Sequence, residues 1–188
     1  YEQLLQQNAD FAGWLTLPNS NVDYPVVFGA SVDTERYGND YYLRRLFDGT
    51  YNVSGTVFID YNNGRDFTHQ NTVIYGHHML NDSMFADIEK YKDQSYYDSH
   101  KEIYFDTPDA KYTIYPVAGY LTTGTGDYVQ FDFSGDQEFL NYVDRFVSGS
   151  TFKSEQTIEA SDQIVMFSTC SYDVDDGRYV LVGKLVKN

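Results

Sequence analysis

Cysteine is almost missing from this sequence, because Cys170 is the single thiol among 188 residues. One cysteine cannot form a disulfide within the chain, so we expect either a reducing compartment or an exported bacterial protein without disulfides. Basic residues are also scarce, with 13 lysines and arginines against 28 acidic residues and a formal net charge of −15. Nucleic acids and anionic membrane surfaces require a basic surface, so neither is an expected partner.

Proline and tryptophan are few as well, at four and one, whereas tyrosine and phenylalanine number 19 and 13. The prolines and the 14 glycines are scattered, so no disordered linker or low-complexity tract divides the chain. No run reaches the roughly 18 apolar residues of a membrane-spanning helix. The length and the abundance of tyrosine predict one domain that is built mainly from β-strands.

Apolar and β-branched runs between turn signals predict about eight strands. These runs are 14–17, 24–28, 55–61, 71–76, 102–107, 111–121, 163–170 and 178–186. The turn TPDAK joins the fifth and sixth runs as a hairpin, and SYDVDDG joins the last two as antiparallel neighbours. Many short strands with few helices favour a small closed β-barrel.

Three helices are predicted besides these strands. Leu4, Leu5 and Phe11 have near-helical spacing and predict an N-terminal helix that ends near Gly13. The segment 83–93 predicts a second helix with Ser83 as its N-cap. The third, over 134–150, has an apolar face that consists of Phe139, Tyr142, Val143 and Phe146.

Cys170 ends the apolar run IVMF, so it is expected where a strand meets a loop. A lone cysteine there is either an inert buried side chain or a nucleophile. Small polar neighbours leave room for a substrate. Arg178 faces Cys170 across the predicted hairpin, where its guanidinium could hold an oxyanion. The alternative for Arg178 is a surface ion pair with Asp173, Asp175 or Asp176, and the local sequence does not decide between the two. DVDDG lacks the ligand pattern of a calcium loop, so we expect no metal or cofactor.

The four histidines differ in context. His69 and His100 lie in polar loops, and we expect both to be solvated. His77 and His78 follow the strand-like run NTVIYG. Because adjacent residues of an extended chain point to opposite faces, we expect one of them in a site and one outside it, and no two-histidine zinc site.

Two motifs together, NTVIYGHHM and FSTCSYDVDDGRYVL, resemble the sortase family of cysteine transpeptidases, and more narrowly class B sortases. The resemblance covers nearly the whole chain and includes WLTLPNSNVDYPVV, YYL, SGTVFIDYNN, SMFADIEKYKD and the helix 134–150. It implies a mainly β fold: an eight-stranded closed sortase-type barrel with an N-terminal helix and an inserted helix before the cysteine strand. It also implies that 1–188 is a single catalytic domain.

The resemblance implies roles for particular residues. Cys170 matches the family's nucleophile, Arg178 its arginine, and His77 the histidine of its G-H motif. Ser168 and Thr169 match positions that line the substrate groove. The backbone N–H of Ser171 would be an oxyanion donor.

The implied activity is cleavage of a Thr–Gly or Thr–Asn type bond in the C-terminal sorting signal of a secreted protein, followed by acyl transfer to an amine. The amine is either lipid II, which anchors the protein to peptidoglycan, or a pilin lysine, which polymerises pilus subunits. Family membership also implies the extracellular face of the membrane, with a single-pass N-terminal anchor that lies outside these residues. Two further hypotheses remain: a protease that uses water as acceptor, and a tyrosine-rich barrel that binds surface polymers without catalysis.

Overall fold

A computed structural model describes residues 1–29, 33–171 and 175–188, with side chains described except at positions 34, 35, 170 and 171. These residues form eight strands: β1 Phe11–Thr16, β2 Asp23–Phe28, β3 Val57–Ile59, β4 Asn71–Tyr75, β5 Ile103–Asp106, β6 Lys111–Thr123, β7 Gln163–Ser171 and β8 Gly177–Lys187. The strands close into a barrel in the order β1-β2-β3-β4-β7-β8-β6-β5. The predicted closed eight-stranded barrel is therefore confirmed.

The barrel is mixed, because β2 pairs with β3 and β4 with β7 in parallel, while all other neighbours in that order are antiparallel. The predicted hairpin corresponds to β5 and β6, and the predicted pairing of the last two runs corresponds to β7 and β8. The parallel β4–β7 pair matters most for function, because it brings the ends of two distant segments to the same edge of the sheet.

The described helices are short, except for the last one. They are α1 Glu2–Gln7, α2 Thr34–Tyr37, α3 Ala86–Glu89, α4 Gln94–Ser99 and α5 Asp136–Ser148, with 3-10 helices at Tyr42–Arg44 and Lys90–Lys92. None of the helices in the described ranges has the length and apolar character needed to cross a bilayer.

Helix α5 has the predicted apolar face. Phe139, Tyr142, Val143 and Phe146 are all buried against the outer side of the barrel. On that side they meet alternate residues of β7 and β8, such as Met166. The intervening residues of these strands, such as Phe167, fill the barrel interior. Since both faces of β7 are covered, its sequence is a continuous apolar run rather than an alternating one.

The predicted N-terminal helix was too long, because α1 ends at Gln7 and Phe11 lies in β1 opposite Val27. Gly13 does not end a helix. It lies within β1, where a β-carbon would come within 2.7 Å of the Phe105 ring and 2.8 Å of the Asp106 carbonyl oxygen. The glycine therefore permits the close approach of β1 and β5.

The predicted cap of the second helix was also wrong. Ser83 does not cap α3; its hydroxyl donates to the Asn81 side chain at 2.6 Å, and the residue before the helix is Phe85. Ser83 is thus used in a local side-chain turn, which competes with helix capping.

Candidate active site

A cleft of about 260 Å³ opens where β4 and β7 end and β8 begins. Its walls are formed by Asn39, Asp40, Leu43, Phe58, Tyr75, Gly76, His77, Gly124, Tyr128, Ser168, Thr169 and Arg178. Four of the six residues singled out from the sequence, namely His77, Ser168, Thr169 and Arg178, therefore line one cleft. For the other two, Cys170 and Ser171, the backbone is described as the end of β7 and the side chains lie outside the described part of the structure.

The strand register places the three predicted catalytic positions, 77, 170 and 178, side by side on neighbouring chain segments. Tyr75 of β4 pairs with Ser168 of β7, so His77 and Cys170 each lie two residues beyond this pair on parallel neighbouring chain segments. Cys170 in turn is the direct cross-strand partner of Arg178 in β8. Neighbouring strands are about 4.8 Å apart, so positions 77, 170 and 178 form one short row at the edge of the sheet.

The His77 side chain is held by a main-chain oxygen. Its Nε2 lies 2.5 Å from the carbonyl oxygen of Leu43. Because a carbonyl only accepts, Nε2 carries the proton, and Nδ1 is the nitrogen left for other chemistry. The His77 backbone is fixed as well, since the Phe85 N–H donates to its carbonyl at 2.7 Å.

His78 lies outside the cleft walls. Its Nδ1 contacts the Glu89 carboxylate, and Glu89 also contacts Lys92. Both His78 and Glu89 are largely buried, with 18% and 10% of their side chains exposed. The pair ties the segment after β4 to α3. No group of three metal-ligating side chains is found within the described ranges.

Arg178 makes the ion pair that was one of the two alternatives, and its position leaves the oxyanion role as a prediction. It lines the cleft, and its Nη1 also lies 3.1 Å from Asp176 Oδ1 and donates to the Gly177 carbonyl at 2.9 Å. Gly124 leaves space for this pair, because a β-carbon there would lie 2.6 Å from the Asp176 carboxylate. Of the other two candidate partners, Asp175 makes no ion pair with Arg178 in the described structure, and Asp173 lies outside the described residues.

The wall beside the cysteine strand contains two buried hydroxyls. The Ser168 hydroxyl lies 3.0 Å from the hydroxyl of Tyr128, so one donates to the other. Thr169 is only 2% exposed, and its hydroxyl makes no hydrogen bond to any described residue. Because adjacent residues of a strand point to opposite faces, the two hydroxyls lie on different sides of β7.

The opposite wall depends on a buried carboxylate that the sequence prediction missed. Asp60 is 3% exposed and accepts hydrogen bonds from the Tyr75 hydroxyl at 2.8 Å and the Asn39 side-chain amide at 2.9 Å. Both donors line the cleft. The signal for this group was the run IDYNN, in which an acidic residue and two amides follow a strand.

The expectation that His69 and His100 are merely solvated was wrong. His69 Nδ1 lies 2.7 Å from Asp132 Oδ2. The His100 ring stacks on Tyr96 with a centroid distance of 3.9 Å, and its Nδ1 contacts the Tyr96 carbonyl at 2.9 Å. The His69 imidazole joins two distant segments and the His100 imidazole packs on the end of α4, and neither lines the cleft.

Comparison with known proteins places these features in a family context. The family model described as Sortase domain matches residues 15–186. Sortase B of Listeria monocytogenes is 33% identical over 185 residues, which cover 97% of this chain and 72% of that protein. The structure of the Staphylococcus aureus sortase B-substrate complex has a TM-score of 0.90 at 32% identity, covering 100% of this chain and 84% of that one. A structure of Sortase B complexed with triglycine also has a TM-score of 0.90 at 32% identity, with coverages of 99% and 85%.

Proposed function

The chain belongs to the sortase family of cysteine transpeptidases, and from that premise we propose that it cleaves a C-terminal sorting signal and transfers the acyl group to an amine. One observation carries the assignment of this chemistry to particular residues. Positions 77, 170 and 178 lie in one row beside the cleft, where β4 and β7 end and β8 begins. A base, a thiol and a cation at such spacing are the groups that acyl transfer through a thioester requires.

In the first transfer, the Cys170 thiolate attacks the carbonyl carbon of a Thr–Gly or Thr–Asn type bond. A carbon–sulfur bond forms and the carbonyl oxygen becomes an oxyanion. The carbon–nitrogen bond then breaks, and the leaving amine takes a proton from His77. Since Nε2 keeps its proton for the Leu43 carbonyl, His77 enters this step with both nitrogens protonated, as the partner of the thiolate, and gives up the Nδ1 proton.

Arg178 is proposed to stabilise the oxyanion together with the backbone N–H of Ser171. A guanidinium carries five N–H donors. Its contacts with Asp176 and Gly177 use Nη1, so an oxyanion contact through its other nitrogens is compatible with the ion pair. Residues directly opposite each other on antiparallel strands share one face of the sheet, which suits a cysteine and an arginine that act on the same carbonyl.

In the second transfer, an amine attacks the thioester carbon and loses a proton to His77. A carbon–nitrogen bond forms, the carbon–sulfur bond breaks, and the thiolate is regenerated. Water as the acceptor would give hydrolysis instead. The structure of Sortase B with triglycine supports a glycine-type amine as the acceptor. We therefore propose lipid II as the acceptor, with peptidoglycan anchoring of secreted proteins at the extracellular face of the membrane as the outcome.

The test is intact mass spectrometry after incubation with peptides of the LPxTG, NPxTN and QVPTG types. We expect a mass increase equal to the acyl fragment in the unmodified chain and none in Cys170→Ala. Addition of triglycine or of a pilin lysine peptide then identifies the acceptor, because the released product carries the mass of the amine used. If no peptide forms an adduct and Cys170 also resists alkylation, the transpeptidase assignment fails and a non-catalytic barrel takes its place.

A further inference from the structure

The carbonyl that binds the histidine belongs to a turn in which the neighbouring carbonyls are also occupied. It is the middle carbonyl of the 3-10 helix Tyr42–Arg44. The carbonyl before it accepts the backbone N–H of Thr56, and the carbonyl after it accepts that of Asn52, both at 3.0 Å. Hydrogen bonds on both sides therefore fix the direction in which the Leu43 oxygen points.

Gly55 lies directly behind this oxygen. A β-carbon at Gly55 would be 2.5 Å from the Leu43 carbonyl oxygen, and the residue has a φ of +62°, which favours glycine. The segment before β3 is thus packed against the turn so closely that the carbonyl cannot swing away from His77 on that side.

On its other side, the turn is anchored to the N-terminal segment through Tyr42. The Tyr42 hydroxyl donates to Asp10 Oδ2 at 2.6 Å and accepts from the Asn8 side-chain amide at 3.0 Å. The same amide also donates to the Phe47 carbonyl at 2.7 Å. Tyr42 and Asp10 are 5% and 2% exposed. Burial, and next the hydrogen bond to Asp10, raise the pKa of Tyr42, so the phenol remains a donor at all physiological pH values.

We propose that Tyr42 is a positioning residue for acyl transfer, which acts through the Leu43 carbonyl on His77. Held by Asp10 and Asn8, it fixes the turn so that Leu43 accepts from Nε2. This selects the Nε2–H tautomer of the neutral imidazole and leaves Nδ1 to exchange protons in the cleft. The proposal rests on the proposed role of His77, and Tyr42 itself does not line the cleft.

The test compares Tyr42→Phe with Tyr91→Phe. Tyr91 is a matched control, because it is also buried and its hydroxyl donates to a main-chain carbonyl, that of His100, at 2.7 Å. The first readout is the pair of imidazole ¹⁵N chemical shifts of His77 without substrate, at a pH where the ring is neutral. We expect the Nε2–H tautomer in the parent chain and in Tyr91→Phe, and a mixture of tautomers in Tyr42→Phe.

The second readout is the steady-state kinetics of transpeptidation. We expect kcat to fall roughly tenfold in Tyr42→Phe, with KM within about twofold, because misplacement of a catalytic group impairs the reaction step more than binding. Asp10→Asn retains an acceptor oxygen and should keep most of kcat, whereas Asp10→Ala should resemble Tyr42→Phe. If circular dichroism shows that Tyr42→Phe does not fold, the two Asp10 variants are compared with the parent chain by the same two measurements.

The two proposals fail separately. If the parent chain forms no acyl adduct with any peptide, the proposed function fails, while the tautomer comparison still decides whether Tyr42 orients the His77 ring. If the parent chain is active but Tyr42→Phe matches Tyr91→Phe in both tautomer and kcat, the positioning role is overturned.

Discussion

Replacement of Gly76 by alanine should disturb the cleft through a single contact. A β-carbon at this position would lie 2.6 Å from the Cγ and Cδ2 atoms of Phe85. Carbon atoms in favourable contact are about 3.5 to 4.0 Å apart, so one partner has to move by roughly 1 Å. Phe85 has little freedom to do so, because it is fully buried and packs edge-on against Phe167 at a centroid distance of 6.0 Å.

The expected size of the effect follows from overpacking. An extra methyl group in a packed core costs about 1 to 3 kcal/mol. For a chain of this length, 1 kcal/mol corresponds to about 2 to 4 °C in Tm, so Gly76→Ala should melt roughly 2 to 12 °C lower. The displacement also reaches the cleft, because the Phe85 N–H holds the His77 carbonyl. A shift of about 1 Å in a catalytic group can cost roughly 100-fold in rate, and we expect a loss of that order in kcat/KM.

Thermal unfolding and the rate of acyl-adduct formation, followed by intact mass, would measure both effects. Gly135→Ala is the control, since no described atom lies within 4 Å of its β-carbon and its φ of 178° suits any residue. A double variant that adds Phe85→Leu removes the ring that the new methyl group strikes, so it should recover part of the lost rate. If Gly76→Ala equals Gly135→Ala in both Tm and acylation rate, Phe85 yields freely and the close-contact explanation is wrong.

Asp176→Asn removes a negative charge 3.1 Å from Arg178 Nη1, which otherwise weakens the stabilisation of the oxyanion by the guanidinium. A half-exposed ion pair of this kind is worth about 0.2 to 1 kcal/mol. We therefore expect kcat/KM to rise by up to about fivefold, and an unchanged or lower value, compared with Asp175→Asn, would contradict this role. A second prediction concerns alkaline pH: burial raises the pKa of Tyr91 and Tyr179 above the usual phenol value near 10, so the unfolded chain loses these protons first. Their stabilising contribution is complete below about pH 10 and falls as pH rises further. Urea titrations should therefore give a free energy of unfolding that falls above that pH, and tyrosinate absorbance should increase as the chain unfolds. A flat stability up to about pH 12 would contradict it.

Most of the barrel was predictable because the strands that form it are buried on one or both faces. The runs that became β4, β7 and β8 each contain a continuous apolar stretch, VIY, IVMF and YVLV, and their predicted limits agreed with the structure to within one or two residues. Helix α5 was predictable for the related reason that its apolar side chains repeat at helical spacing. In each case, the positions that become buried on folding can be identified from their apolar residue types.

The N-terminal segment shows where this correspondence ends. Leu4 and Phe11 are seven residues apart, a spacing that a helix and a helix followed by a strand both allow. The choice was made by a distant partner, since Phe11 pairs with Val27, and by the turn at Asn8, whose side-chain oxygen accepts the Asp10 N–H at 2.8 Å. Pairing with a strand more than ten residues away overrides local periodicity and leaves no mark in the segment itself.

The candidate site, too, could be predicted from the sequence only in part. A thiol, an imidazole and a guanidinium are rare in this chain, so the sequence could indicate Cys170, His77 and Arg178. What orients the imidazole is a carbonyl, a group that every residue carries, and Leu43 as a residue type says nothing about it. Its availability depends on a turn whose neighbouring carbonyls are already paired and on an anchor to Asp10, both of which exist only after folding. A sequence therefore indicates which groups can react, whereas their tautomer and alignment are set by main-chain contacts that only the fold creates.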